Sequence, residues 1–149
     1  MTIRPIEVSD LPAIEGLVDM LAAPGDHDRF AEKWLGGWPG ERDRGVVAID
    51  DDGRIVGVCL FRPVAGPDKA PEIILAVSYD HQRQGVGRTL LESNLAQAKE
   101  LGLWALQAVV KPTNDGALRL LSRYDFRVLL DDSPRKLDGL LVLDDQLQT

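Results

Sequence analysis

The stretch "EIILAVSYDHQRQGVGRTLL", residues 72–91, decides the fold. "EIILAV", residues 72–77, reads as an apolar strand opened by Glu72. A helix is predicted over about 85–101, with Val86, Leu90, Leu91, Leu95 and Ala98 as its buried stripe and Gly102 as its stop. Where loop becomes helix stand Gly85 and Gly87, although Gly costs about 1 kcal/mol relative to Ala inside a helix. The compensation is backbone access. Without Cβ atoms the first N–H groups can approach a bulky group, and the helix N-terminus is the electropositive end with unpaired donors. That combination describes an anion cradle suited to phosphate. The plain alternative is a helix entry that needs a tight turn.

Working outward, "TIRPIEV" reads as a short strand. Ser9 or Asp10 caps a helix carrying Leu11, Ile14, Leu17, Val18 and Leu21 on one face. Pro24-Gly25 closes that region, and a second helix is expected over "DRFAEKWLGGW". "GVVAID" and "RIVGVCLF" are strands joined through Asp52-Gly53, a strong hairpin signal. Beyond the helix at 85–101, "LWALQAVV" is a strand, "NDGALRLLSRY" a short helix, and "FRVLL" and "GLLVL" the last two strands. The order is β-α-α-β-β-β-α-β-α-β-β. The hairpins demand antiparallel pairing and residues 72–110 form a parallel crossover, so one mixed α/β sheet with helices on both faces is expected.

A chain of 149 residues with 44% hydrophobic residues is one globular domain with a real core. No apolar run approaches the roughly 18 residues of a membrane span, and the N-terminus lacks the layout of a secretion signal. With Cys59 as the sole cysteine there is no intrachain disulfide, and "IVGVCLF" makes it a core thiol rather than a nucleophile. His27 and His81 form no ligand pair, so no metal is expected. A cytoplasmic location is the simplest inference. The net charge of −7 argues against general nucleic-acid binding. It is unevenly placed: residues 81–123 carry +3, where the glycines would hold an anion, and the remainder carries −10.

Two phosphate-site rivals fail on their own residues. A Rossmann fingerprint needs a third small residue where Leu90 stands, and a P-loop needs a lysine that "GVGRTL" lacks. "QRQGVG" after "LAVSYD" instead resembles the Gln/Arg-x-x-Gly-x-Gly/Ala signature of the GCN5-related N-acetyltransferase (GNAT) superfamily. The element order matches as well. "NDGALRLLSRYDF" is similar to the family's second signature through Asn114, Ala117, Leu120 and Phe126. Within the superfamily, "PEIILAVSYDHQRQGVG" resembles bacterial protein-lysine acetyltransferase domains, which carry a glutamate at the place of Glu72.

The resemblance implies one N-acetyltransferase-like domain over 1–149, with acetyl-CoA as cosubstrate. Its pyrophosphate would lie on the loop of Gln82, Arg83, Gln84, Gly85, Val86, Gly87 and Arg88. Leu75, Ala76 and Val77 would meet the pantetheine arm, the last two through their backbone, with their N–H groups near the thioester oxygen. Such fixed donors stabilise an oxyanion. Glu72 is the candidate base, directly or through water, against the alternative of an exposed charge at a strand start. Asn114 either contacts CoA or caps the short helix. The chain departs from its family at Leu121, where a thiolate-protonating tyrosine is usual, and at Asp125, where glycine is usual. Tyr124, three residues on, is the remaining candidate acid, against a half-buried packing role. Trp34, Trp38 and Trp104 read as core or lid.

The function implied is acyl transfer from acetyl-CoA to a primary amine, by direct attack in a ternary complex. The acceptor would be a small molecule or a protein lysine. Asp26, Asp28 and Glu32 favour a cationic one. A homodimer is compatible with the pattern, and neither nucleic acid nor membrane is expected as a partner. The alternative is a non-catalytic acyl-CoA-binding or protein-interaction module on the same fold.

Overall fold

Seven strands form one sheet in the computed structural model, which describes residues 1–21, 34–64, 69–110, 114–128 and 137–143. In chain order they are β1 (Thr2–Pro5), β2 (Arg44–Ile49), β3 (Ile55–Arg62), β4 (Glu72–Val77), β5 (Ala105–Val110), β6 (Phe126–Val128) and β7 (Leu137–Val142). Their order across the sheet is β1-β2-β3-β4-β5-β7-β6. Every neighbouring pair is antiparallel except β4 and β5, the parallel crossover expected from residues 72–110. The hairpin at Asp52-Gly53 forms as expected, with Asp50 Oδ1 accepting from the Asp52 and Arg54 amides, both at 2.9 Å.

Among the described residues, three α-helices pack on this sheet: α1 (Leu11–Leu21), α2 (Val86–Glu100) and α3 (Asp115–Leu121). Alternation along the strands sorts the two faces. Val47, Val58 and Leu60 point to α1, joined by Ile14, Leu17, Val18, Trp34, Leu35 and Trp38. Val46, Ala48, Cys59 and Phe61 point to α2, which lays down the anticipated stripe of Val86, Leu90, Leu91, Leu95 and Ala98. Leu121 brings α3 to that same face. Leu90 is fully buried, so truncating it to Ala costs about 2–5 kcal/mol. Helix α2 ends as its sequence requires. Gly102, at φ +76°, lets its amide reach Lys99 at 3.0 Å while the Leu103 amide reaches Ala98 at 3.1 Å.

Some expectations shift. A turn of 3₁₀ helix at Val8–Asp10 precedes α1, and Asp10 is a buried partner of Arg4 at 2.7 Å whose carboxylate also accepts from the Glu7 amide. Trp34 and Trp38 are core, but Trp104 is half exposed. Cys59 is fully buried, its thiol directed at Asn94 Oδ1 at 3.4 Å, and desolvation pushes its pKa up. Most of the second expected helix, with Asp26, His27, Asp28 and Glu32, lies outside the described residues.

Candidate active site

The sheet is split. β4 and β5 share a single register pair, Glu72 with Gln107, locked by the Gln107 amide on the Pro71 carbonyl at 2.8 Å. Past that point the two strands run on without pairing, so a gap opens between their C-terminal halves. The pleat decides which backbone groups face it. Ser78 donates to Val56 at 2.8 Å, which makes them a hydrogen-bonded pair across β3 and β4. Antiparallel pairs alternate, so Ala76, Ile74 and Glu72 also direct their amides to β3. Leu75 and Val77 direct theirs into the gap. The expectation for Ala76 is therefore corrected: its amide is spent inside the sheet, and Leu75 takes its place beside Val77.

The loop at the mouth of this gap has the form of a nest. Arg83 at φ +63° and Gly85 at φ +83° flank Gln84, so the sign of φ alternates and successive amides converge. Gly85 is the N-cap of α2. The Gln82 amide reaches the Tyr79 carbonyl at 3.4 Å, and the Thr89 amide reaches Gly85 at 3.1 Å. Between them no backbone N–H among the described residues finds a backbone carbonyl. The Gln82 side chain donates to the Val77 carbonyl at 2.9 Å and straps the loop to the end of β4. At Gly87 a Cβ would meet Leu75 Cδ2 at 3.6 Å, Val77 Cγ2 at 3.7 Å and Leu120 Cδ2 at 3.9 Å. These are ordinary contacts. Folding does not demand glycine there, whereas a ligand entering the corner between β4, α2 and α3 would. A phosphorylated acyl carrier such as acetyl-CoA fits this donor set: unspent amides for the pyrophosphate, then strand amides for the arm.

The side chains nominated for chemistry are more dispersed. Glu72 is half-buried at the closed end of the gap, on the α1 face with Ile74 and Ala76. At about 3.3 Å per residue it lies roughly 10 Å along the strand from Leu75, too far for direct contact with a group held there. Tyr124 donates to Glu92 Oε1 at 3.2 Å. On α2, Glu92 stands about 140° round from Gly87 at 100° per residue, so this hydroxyl faces another flank. There it lines a cavity of about 350 Å³ with Leu95, Lys99 and Val142. Burial first, and the Glu92 charge second, raise the Tyr124 pKa, so it holds its proton more firmly than a free tyrosine. Leu121 is 7% exposed and belongs to the core. Asn114 caps α3, its Oδ1 accepting from the Ala117 amide at 3.1 Å, which accounts for it without a ligand.

Reasoning from sequence missed a second cluster beside Glu72. Asp43, 4% exposed, holds the Arg62 guanidinium at two points: Nε to Oδ1 at 3.1 Å and Nη2 to Oδ2 at 2.9 Å. Trp38 lies under Arg62, 5.6 Å from ring centroid to guanidinium carbon. A basic residue ending an apolar strand was the only signal.

A split mixed sheet with an amide-lined gap, closed by a helix N-terminus, offers backbone donors to an anion. Residues 13–126 match the model of the acetyltransferase (GNAT) family, and the chain belongs to that family. Over 90 residues it is 32% identical to mycothiol acetyltransferase of Propionibacterium freudenreichii, covering 58% of this chain and 28% of that protein. Over 125 residues it is 29% identical to the [ribosomal protein bS18]-alanine N-acetyltransferase of Escherichia coli K12, covering 84% and 80% respectively. The chain thus spans little more than a quarter of the first relative and four-fifths of the second. The fold is also that of yncA from Salmonella typhimurium, solved with its cofactor acetyl-CoA. There the TM-score is 0.73 at 22% identity, over 97% of this chain and 95% of that one. No described helix is long and apolar enough to cross a membrane.

Proposed function

We propose that this chain acetylates a primary amine by direct attack within a ternary complex, with the gap between β4 and β5 as the acyl site. The observation that carries the reading is the parity of β4: Leu75 and Val77 aim their amides into a gap that leads to the unspent amides of residues 83–88. When bound, acetyl-CoA would supply an activated thioester, whose thiolate leaves far more readily than an alkoxide would.

The chain's own groups do the rest. Leu75 and Val77 offer fixed donors to the carbonyl oxygen as charge develops on it. The loop from Gln82 to Arg88 holds the phosphates and so fixes the position of the carbonyl for attack. Glu72 takes the ammonium proton through water, given its distance from Leu75. The amine nitrogen then forms the C–N bond and, now positively charged, releases its second proton to solvent; the C–S bond breaks, and the thiolate collects a proton from solvent. Tyr124 is not needed for that last step on this reading. The acceptor is a small amine, a protein lysine or a protein N-terminus; the last is the chemistry named for the bS18-alanine relative.

The test is CoA release with a panel of primary amines, comprising diamines, amino acids, lysine peptides and peptides with free N-termini. Release above the hydrolysis background with at least one class is expected. The absence of an aromatic acid at Leu121 favours one alternative, a module that binds acyl-CoA without turning it over. Tight acetyl-CoA binding with no release across the whole panel would establish that alternative.

A further inference from the structure

We propose that Asp43 and Arg62 form a charge-compensated clamp that positions Glu72 for proton transfer. The proposal rests on Glu72 being the base. Arg62 is the register partner of Glu72 across β3 and β4, and alternation puts both side chains on the α1 face. By the parity of β4 they form a hydrogen-bonded pair, which sets their Cα atoms about 5.5 Å apart. The guanidinium is therefore the nearest cation in sequence register to the carboxylate.

That cation is not left to swing. Asp43, with a side chain 2% exposed, grips it as a fork, and the Arg62 side chain is only 16% exposed. Asp43 is fixed in turn, since its Oδ2 accepts from the Gly40 amide at 2.6 Å. Trp38 closes the side facing α1. Such a grip needs a planar fork, which arginine has and lysine lacks. Two consequences follow. Glu72 gains a rigid neighbour that limits its rotamers, and it faces an ion pair whose charges largely cancel. A lone guanidinium would favour the carboxylate form and make it a poorer base; a lone carboxylate would do the reverse. Other charged groups nearby are Glu41 and Arg42, on the rim of a cavity of about 510 Å³ that Asp43 and Arg62 also line. Lys69 precedes β4, and Asp138 lies two strands away. From β5, Gln107 faces Glu72 without charge.

The test is the pH dependence of kcat/KM for the amine, at saturating acetyl-CoA, in four variants. Asp43→Asn keeps volume and an acceptor for Gly40 but takes the Asp43 charge away from Arg62, so the acid limb should move down by about 1 pH unit. Arg62→Gln leaves Asp43 unopposed, and the limb should move up by a similar amount. The double variant restores neutrality and should return the limb to within about 0.3 units of wild type, at a lower kcat because the clamp is gone. A merely structural role predicts lower activity with an unmoved limb in all three, and that result overturns the proposal. Because Asp43 and Arg62 are both largely buried, the folding of every variant is checked by circular dichroism, and a limb is compared only between folded variants. Glu72→Gln separates the two readings: if it retains the acid limb, the base assignment fails. If it abolishes the limb while the clamp variants leave theirs in place, only the clamp fails.

Discussion

Replacing Gly87 by alanine should raise stability and weaken acetyl-CoA binding at once. The new methyl would sit 3.6–3.9 Å from Leu75, Val77 and Leu120, ordinary packing distances with no displaced backbone. Burying one methyl contributes up to about 0.8 kcal/mol, and replacing glycine in the first turn of α2 adds a few tenths. A net gain of about 1 kcal/mol corresponds to a rise in Tm of about 2–4 °C for a chain of this size. The same methyl occupies the corner where the pantetheine arm would enter between β4 and α3. Losing even one tight contact there should cost tenfold in Kd, about 1.4 kcal/mol. Gly87→Glu adds bulk and a like charge and should cost more than tenfold. Gly85→Ala is the control of opposite sign: at φ +83° a Cβ costs about 1 kcal/mol or more, so this variant should lose stability. Thermal unfolding without ligand and calorimetry with acetyl-CoA read both quantities. A stabilised Gly87→Ala with unchanged affinity, together with a folded Gly87→Glu that binds normally, would refute the placement of the cofactor on this loop.

Three further outcomes are expected. Glu72→Gln should lower turnover by about 10²–10⁴ with little change in acetyl-CoA affinity, whereas a rise confined to KM for the amine would make Glu72 an ammonium anchor instead. Leu121→Tyr should cost about 1–3 kcal/mol in denaturant unfolding without speeding turnover, because Leu121 is core; a faster folded variant would reopen that position as an acid site. Asp10 has a lowered pKa, first through its Arg4 hydrogen bond, so its contribution is present above the unfolded value near 3.9 and disappears as pH falls through the folded one. Asp10→Asn should therefore narrow its stability gap to wild type in unfolding curves taken from pH 6 to pH 2, and a constant gap would count against the pair.

What the sequence determined by itself was periodic and local. Apolar alternation, the Asp52-Gly53 turn, the helix entry at Gly85 and the stop at Gly102 are short-range signals, and they suffice for the order of the described strands and helices, the parallel crossover and the α2 stripe. The glycine loop was legible for the same reason, since a helix that opens with Gly85 and Gly87 contradicts propensity within six residues. Tertiary structure decided the rest. The outward amides belong to Leu75 and Val77 rather than Ala76 because pleat parity depends on register with β3, which no residue type encodes. Tyr124 turns to Glu92, and Leu121 turns to the core, because the angle of α3 on the sheet sets which side of that short helix is buried. Asp43 and Arg62 stand nineteen positions apart. Only the pairing of β2 with β3 brings them together beside Glu72, because a strand ladder joins residues by hydrogen-bond register and not by distance along the chain.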